Sequence, residues 1–501
     1  MSYHSWKFIL FFAVLLCFYY TFHNQRLRQA VLLAGNLFFY YRAAGGNALL
    51  ILVFTFAVLS ICSHGIACNK EPGKYLAAGI VFLPGILLYT KAGLRPGMIE
   101  VYHLSEFRIF RTFLIPLGIS YYTLSSIGFL LDLYHHKIQF QGDYPELLLS
   151  LTFFPQITEG PVARYERLIS QFRNLPAFSA EKICRGAQRM LWGYLKKMVL
   201  ADRIAIFTNA VFHNPGEQAG SVLLLAVMLG AIQLYADFSG CMDIVIGAAE
   251  AMGIRLDENF RQPFFADSSA DFWRRWHITL LNWFRDYVYL PLTVFPMLIH
   301  STRHIRKWFG RKAGRVFAGA VPVFLVWCLT GLWHAFSGCY LLWGFYWAGV
   351  LLCGRYTKPA MQRLRKALSL QKETFGAKCF RAVRIFGLFC IGRSFTATGS
   401  LAGCRLLYHQ IFHQFHLWEI LGDNLYIHGL DWRDFQIILF GILLLIIVDY
   451  LQHKGLSIRT TVAKQSLPFR WMLWYGSVAV LILFGIYGSG YQPAGFLYAG
   501  F

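Results

Sequence analysis

The chain has 501 residues, of which 56% are hydrophobic and 14% charged, against about 45–50% and about 25% in an ordinary soluble domain. Lys and Arg number 47, Asp and Glu 25, so the net charge is +22. The 46 phenylalanines exclude a disordered chain, and the apolar excess excludes an ordinary soluble globule. No polar stretch is long enough for a basic nucleic-acid-binding domain, so nucleic acid is not an expected partner.

An integral membrane protein with many spans remains. At about 20 residues per span, the length allows roughly ten to twelve helices. The first apolar segment covers 5–22. No small-residue cleavage site follows it, so it reads as a permanent span. Further candidates lie at 29–41, 47–67, 75–90, 112–133, 146–158, 221–238 and 241–253. Later ones lie at 289–299, 316–335, 339–353, 385–400, 435–451 and 471–487. Pro155, Pro291 and Pro296 mark 146–158 and 289–299 as broken or re-entrant, which needs burial in protein or a wet cavity. The runs are continuous and not alternating, which argues against a β-barrel. The expected fold is an all-α polytopic membrane protein, with roughly eleven transmembrane helices plus broken or interfacial helices. No internal repeat, low-complexity tract or soluble domain interrupts it.

The basic residues are clustered. Residues 301–315 hold six Lys or Arg and no acid; residues 355–384 hold nine and one acid, Glu373. Lys454, Arg459, Lys464 and Arg470 form a third group without an acid. The positive-inside rule puts all three in the cytoplasm. The spans 316–335 and 339–353 then form one hairpin, with Phe336, Ser337 and Gly338 at an outer tip and His334 just before it. Arg26 and Arg28 place the first loop inside and the N-terminus outside. Topology and contact with anionic lipid account for the clusters without a specific partner. The eleven cysteines include no C-x-x-C pair, so neither a disulfide framework nor a zinc site is indicated.

Ionisable residues at membrane depth are costly and mark functional candidates. Asp271 to Leu292 interleaves seven aromatics with Arg274, Arg275, His277, Arg285 and Asp286. As a helix, Arg274 and His277 would share a face and Asp271 could pair with Arg275. An interfacial anchor is one reading; a polar cluster binding an anionic or carbonyl-bearing substrate beside a titratable His is the other. His334 follows Trp333 at the end of an apolar span, and is either a hydrogen-bonded core residue or a proton acceptor near neutral pH. Residues 153–164 place Gln156, Glu159 and Arg164 among Pro155, Gly160 and Pro161, a broken helix or a turn. His409, His413 and His416 would share a helix face, a weak metal signal, and Asp423 is off that spacing. His135 and His136 form a loop pair with no further ligand nearby. Asp237, with Asp243, lies between two apolar runs as a buried paired carboxylate or a packing residue.

FFPQITEGPVARYERL, LYADFSGCMDIVIGAAEAMGIRLDENFRQPF, DFWRRWHITLLNWFRDYVYLPL and LTGLWHAFSGCYLLWG together resemble the membrane-bound O-acyltransferase (MBOAT) superfamily. Within it the chain is similar to the alginate O-acetyltransferase branch, a relative of the D-alanyl-teichoic acid transferases. The similarity runs from about residue 112 to the C-terminus, giving 1–111 as N-terminal helices and 112–501 as an acyltransferase core in one integral membrane domain. The resemblance implies a helical ring around a thin floor, with a cytoplasmic donor site and an outer acceptor site. It assigns His334 as catalytic and His277 as the second histidine. Ala335 stands where Gly is frequent, and Glu159 where small residues are common. The implied reaction moves an acyl group, acetyl first, from an acyl thioester (acetyl-CoA or an acyl carrier) to a hydroxyl outside. His334 would act as general base, His277 would orient the acceptor or support the oxyanion, and Arg274, Arg275 or Arg285 would hold coenzyme phosphates or anchor the interface. Trp276, Trp333 and Asp286 complete the expected substrate-binding set. No bound cofactor or metal is required. Implied partners are the plasma-membrane bilayer, an extracytoplasmic polysaccharide and an SGNH-type hydrolase-like protein. D-alanyl transfer to teichoic acid, a transporter or flippase, and a membrane scaffold are the alternatives.

Overall fold

The computed structural model describes residues 1–92, 116–369 and 374–487. These are mainly helical, with no strand and a single isolated β-bridge. Six of the described helices are long and apolar enough to cross a membrane: Gly46–Cys68, Pro72–Lys91, Gly220–Ala251, Pro296–His334, Trp432–His453 and Leu467–Phe484. The expectation of roughly eleven spans therefore stands at six by that measure. A boundary at 111–112 lies outside the described residues.

The expected break at Pro155 is present. Helix Tyr144–Thr152 stops at Phe153, and a single turn, Phe154–Ile157, follows. The expected break near Pro291 is also present, as a π-helical turn Arg285–Tyr289, a short helix Leu290–Thr293 and a new start at Pro296. Separate spans at 221–238 and 241–253 do not occur. One 32-residue helix, Gly220–Ala251, runs through both, because an isolated Gly inside an apolar helix is tolerated when its neighbours pack.

The described residues form two compact units. The first comprises 1–194 and 240–258. Its core is aromatic: Tyr3, Phe8, Phe39 and Phe154 meet at centroid distances of 5.1–6.1 Å. Arg28, expected to mark a cytoplasmic loop, is buried here. Its guanidinium donates to the carbonyls of Tyr19, Leu175 and Pro176 and lies 4.2 Å from the Tyr19 ring. A charge held this way ties the first loop to residues 175–176.

The second unit, 195–239 with 259–487 among the described residues, carries both candidate histidines. Helices Pro296–His334 and Gly338–Ala367 form the expected hairpin around Ala335–Ser337. Glycine sets their approach. A Cβ on Gly331 would stand 2.3 Å from the Tyr340 carbonyl, and one on Gly344 2.4 Å from the Trp327 carbonyl. Only a residue without Cβ fits at either crossing.

Candidate active site

The segment beginning at Asp271 is not one helix. Ser268 caps a five-residue turn, Ser269–Trp273, its Oγ accepting from the Asp271 N–H at 3.2 Å. The chain reverses at Arg274, and His277 takes left-handed angles, φ 47° and ψ 49°. Helix Ile278–Phe284 starts after it. Arg274 and His277 therefore do not share a helical face. A tertiary clamp overrides the helical pattern: Phe260 and Trp276 form an antiparallel bridge. The Arg261 N–H donates to the Arg275 carbonyl at 3.0 Å, and the Ile278 N–H to the Asn259 carbonyl at 3.1 Å. Left-handed φ at a non-Gly residue costs of order 1–3 kcal/mol and persists only where surroundings over-determine it.

Four of the seven aromatics of this segment are packed inside the protein, and Trp283, Tyr287 and Tyr289 are half-buried. Phe272, Trp273, Trp276 and Phe284 are all buried within the protein. Phe272 stacks on Trp276 at 5.6 Å and on Trp347 at 5.9 Å. The expected Asp271–Arg275 pair is formed at 2.9 Å, and the same carboxylate takes Arg274 at 3.2 Å.

His277 and His334 are both buried, at 2% and 5% exposure. His334 is the last residue of its helix. Its ring faces Trp333 at 4.9 Å, Tyr340 at 5.8 Å and Trp343 at 5.3 Å. The Trp333 indole also lies 6.1 Å from His277, so one ring touches both imidazoles. His277 packs edge-on to Phe238 at 4.8 Å. Burial pushes its imidazole down to about 3, which keeps it neutral at physiological pH.

Phe238 sits between two residues that grip a buried basic turn. Residues Leu195–Ala201 are π-helical, a form frequent at functional sites. Lys197, 1% exposed, is 2.6 Å from Asp237 and 2.9 Å from Asp202. Lys196 donates to Ser239 Oγ at 2.9 Å. Asp237 is thus the buried paired carboxylate of the two readings. Asp243 pairs instead with Arg189 at 2.9 Å, in the other unit.

A cavity of about 1900 Å³ opens in the same unit. Among the described residues six cations line it, Arg274, Arg285, Arg355, Lys358, Arg381 and Arg384, against one acid, Asp267. Asp267 takes Arg381 at 2.8 Å, and its carbonyl takes Arg384 at 3.0 Å. The apolar part of the wall includes Phe284, Val326 and Trp327. Trp327 lies 5.6 Å from Trp343, which faces His334. Both Trp327 and Trp343 also meet Trp273, at 4.6 and 5.9 Å.

Of the expected site residues, His277, His334 and Trp333 come together, while Trp276 packs against Phe260, Phe272 and Phe389. Arg274 and Arg285 line the cavity. Arg275 and Asp286 do not line it. Arg275 is held by Asp271 beside His453, and Asp286 by Arg285 at 2.8 Å. The sequence reading missed Asn259, Lys196, Lys197 and Asp202. The adjacent lysines within an otherwise apolar run were the available signal. Asn259 gave none. The three-histidine face does not form: the helix ends at His413, and His416 stacks on Trp418 at 4.7 Å beyond it. Among the described residues no group of three His, Cys, Asp or Glu could hold a metal ion.

Residues 98–394 match the family model for MBOAT, the membrane-bound O-acyltransferase family. The "Probable alginate O-acetylase AlgI" of Pseudomonas syringae pv. tomato is 34% identical over 299 residues, 58% of this chain and 53% of that protein. The "Teichoic acid D-alanyltransferase" of Bacillus subtilis is 31% identical over 243 residues, 47% of this chain and 58% of its own. The "Peptidoglycan O-acetyltransferase" of Helicobacter pylori is 28% identical over 257 residues, 46% of each chain. The chain spans about half the length of these relatives. The family match covers more than half of the sequence and includes both candidate histidines, and the chain belongs to the membrane-bound O-acyltransferase family.

Proposed function

We propose that the chain is a multi-pass plasma-membrane O-acyltransferase of the alginate O-acetylase-like kind, with about eleven spans in a ring. It moves an acyl group, acetyl first, from a cytoplasmic thioester to a hydroxyl outside. The observation that carries this reading is the aromatic wall. Trp327 lines the cationic cavity, and Trp343 lies between it and His334. A polyanionic thioester such as acetyl-CoA, or an acyl carrier's prosthetic arm, suits the six cations, with guanidinium forks on its phosphates. The acyl end follows the apolar wall toward the histidines.

His334 accepts the proton as the acceptor oxygen attacks the carbonyl; the C–S bond breaks, and the same proton goes to the leaving thiolate. Such a base contributes about 10²–10⁴ in rate. His277 is neutral, so it can donate an N–H to the developing oxyanion without a proton transfer. The acceptor is an extracytoplasmic polysaccharide hydroxyl, or that of an SGNH-type partner which passes the group on. The chemistry calls for no metal or bound cofactor.

D-alanyl transfer has support from the Bacillus relative. Acetyl stands first because the alginate O-acetylase relative is the more identical of the two, at 34% against 31%. Vesicles carrying the purified protein, given a radiolabelled acyl thioester on the cytoplasmic face, should acquire covalent label on an outer acceptor. Movement of an intact polymer without label would favour a transporter or flippase.

A further inference from the structure

We propose that residues 296–309 form an in-plane helix that binds anionic phospholipid headgroups at the cytoplasmic membrane surface. Residues Pro296–His334 are not one straight rod. Gly310 has φ 83° and ψ 170°, which no L side chain adopts readily. Twelve residues apart in a straight helix are about 18 Å apart. Here a Cβ on Gly314 would stand 3.3 Å from the Thr302 carbonyl and 2.9 Å from the Arg306 Cβ. The chain folds back at Gly310, and 296–309 is a separate arm beside the base of the His334 helix.

The arm is amphipathic in register. At about 100° per residue, Met297, Trp308, Ile305, Leu298 and Phe309 fall on one arc of about 120°. Arg306, Arg303, Lys307, His300 and His304 fall on the opposite arc, interrupted by Ile299 and Pro296. The apolar arc is largely open: Met297, Trp308 and Phe309 are 69%, 76% and 73% exposed, and Leu298 and Ile305 are half-buried. Neither arc faces an acid on its own stretch, since residues 287–372 contain no Asp or Glu. Aromatic residues on one face and Arg or Lys on the other define a helix that lies in the interface plane. An all-positive polar face selects anionic headgroups over zwitterionic ones. The arm also continues directly from the turn that carries Arg285 and Tyr289 to the cavity wall, so lipid contact fixes one lip of that cavity.

The test reads lipid contact and not turnover, so its failure is separate from failure of the acyltransferase reading. The full chain is reconstituted with brominated phosphatidylglycerol or brominated phosphatidylcholine. The emission quenched in wild type but not in W308F reports the arm. Phosphatidylglycerol should quench Trp308 strongly, and the triple variant R303Q/R306Q/K307Q should need at least about tenfold more of it. A second variant, M297S/F309S, keeps the charges and the Trp308 reporter; its quenching by phosphatidylglycerol should fall, and unchanged quenching would overturn the role of the apolar arc. Equal quenching by both lipids, an unchanged triple variant, or displacement by inorganic phosphate alone would overturn the proposal.

Discussion

Asn259 holds Thr279 from two directions. Its Oδ1 accepts from the Thr279 backbone N–H at 3.0 Å and from the Thr279 hydroxyl at 2.8 Å. Its own carbonyl accepts from Ile278 N–H at 3.1 Å. Asn259 is fully buried and touches the chain on the C-terminal side of His277, while the Phe260–Trp276 bridge holds the other side. The left-handed backbone at His277 is therefore imposed from 259–261.

Replacing Asn259 with Ala leaves the Thr279 N–H and hydroxyl without that acceptor in a buried site, a cost of about 1–3 kcal/mol. The strained His277 backbone can then relax, so turnover should fall more than abundance. Transfer rate per mole of protein in detergent, measured beside a thermal midpoint, checks this. Asn259→Asp keeps the acceptor and should fall less.

His334→Ala should reduce acyl transfer by about 10²–10⁴ while the protein remains in the membrane fraction. The side chain packs against three rings, so its truncation leaves a small void in a hairpin held by Gly331 and Gly344. Thioester turnover in vesicles is the readout. Wild-type activity in this variant would remove His334 from the chemistry.

His277 gives a pH signature. In the folded protein burial holds its imidazole down at about 3, against an ordinary value of 6.5 in the unfolded chain. Between those values the unfolded state binds the extra proton, so stability present above 6.5 is lost as pH falls. The slope is at most about 1.4 kcal/mol per pH unit. Asn tolerates left-handed φ and does not titrate, so His277→Asn should flatten the acid limb. Thermal midpoints at about pH 7.5 and about pH 5 compare the two. Parallel limbs would mean the imidazole titrates normally in the folded protein.

These sites differ in how far they could be read from sequence. Spans such as Gly46–Cys68 and Trp432–His453 follow from hydropathy alone, because bilayer thickness fixes a local length. The break at Pro155 was equally local, since proline removes a donor and crowds the preceding turn. Burial of Arg28 was not legible, because a Lys or Arg near a short loop looks the same whether it meets water or buried carbonyls. The WRRWH segment misled for the opposite reason. Its spacing permits a helix, but the clamp that bends it at His277 comes from residues 259–261, and pairings across a loop leave no periodicity. The cationic cavity combines Arg274 and Arg285 with Arg355, Lys358, Arg381 and Arg384, about 70 to 110 residues downstream. Charge counting placed the downstream group in a cytoplasmic cluster without bringing it to the same wall.

The Lys197 cluster carries the last expectation. Its ammonium lies between Asp237 and Asp202 with almost no exposure. Removing one partner of a buried ion pair typically costs about 3–5 kcal/mol, because it leaves uncompensated charge. Lys197→Met should therefore deplete the protein from membranes. Neutralising the carboxylates as well, in K197M/D202N/D237N, removes that charge and should restore abundance. Fluorescence-detected size exclusion after heating measures both variants. The rescued triple variant then separates packing from chemistry. Asp237 is followed by Phe238, whose ring meets His277 at 4.8 Å, so a cluster that only packs the helix should leave turnover within about tenfold of wild type. A loss as deep as that of His334→Ala would instead make the buried charge itself part of the transfer step.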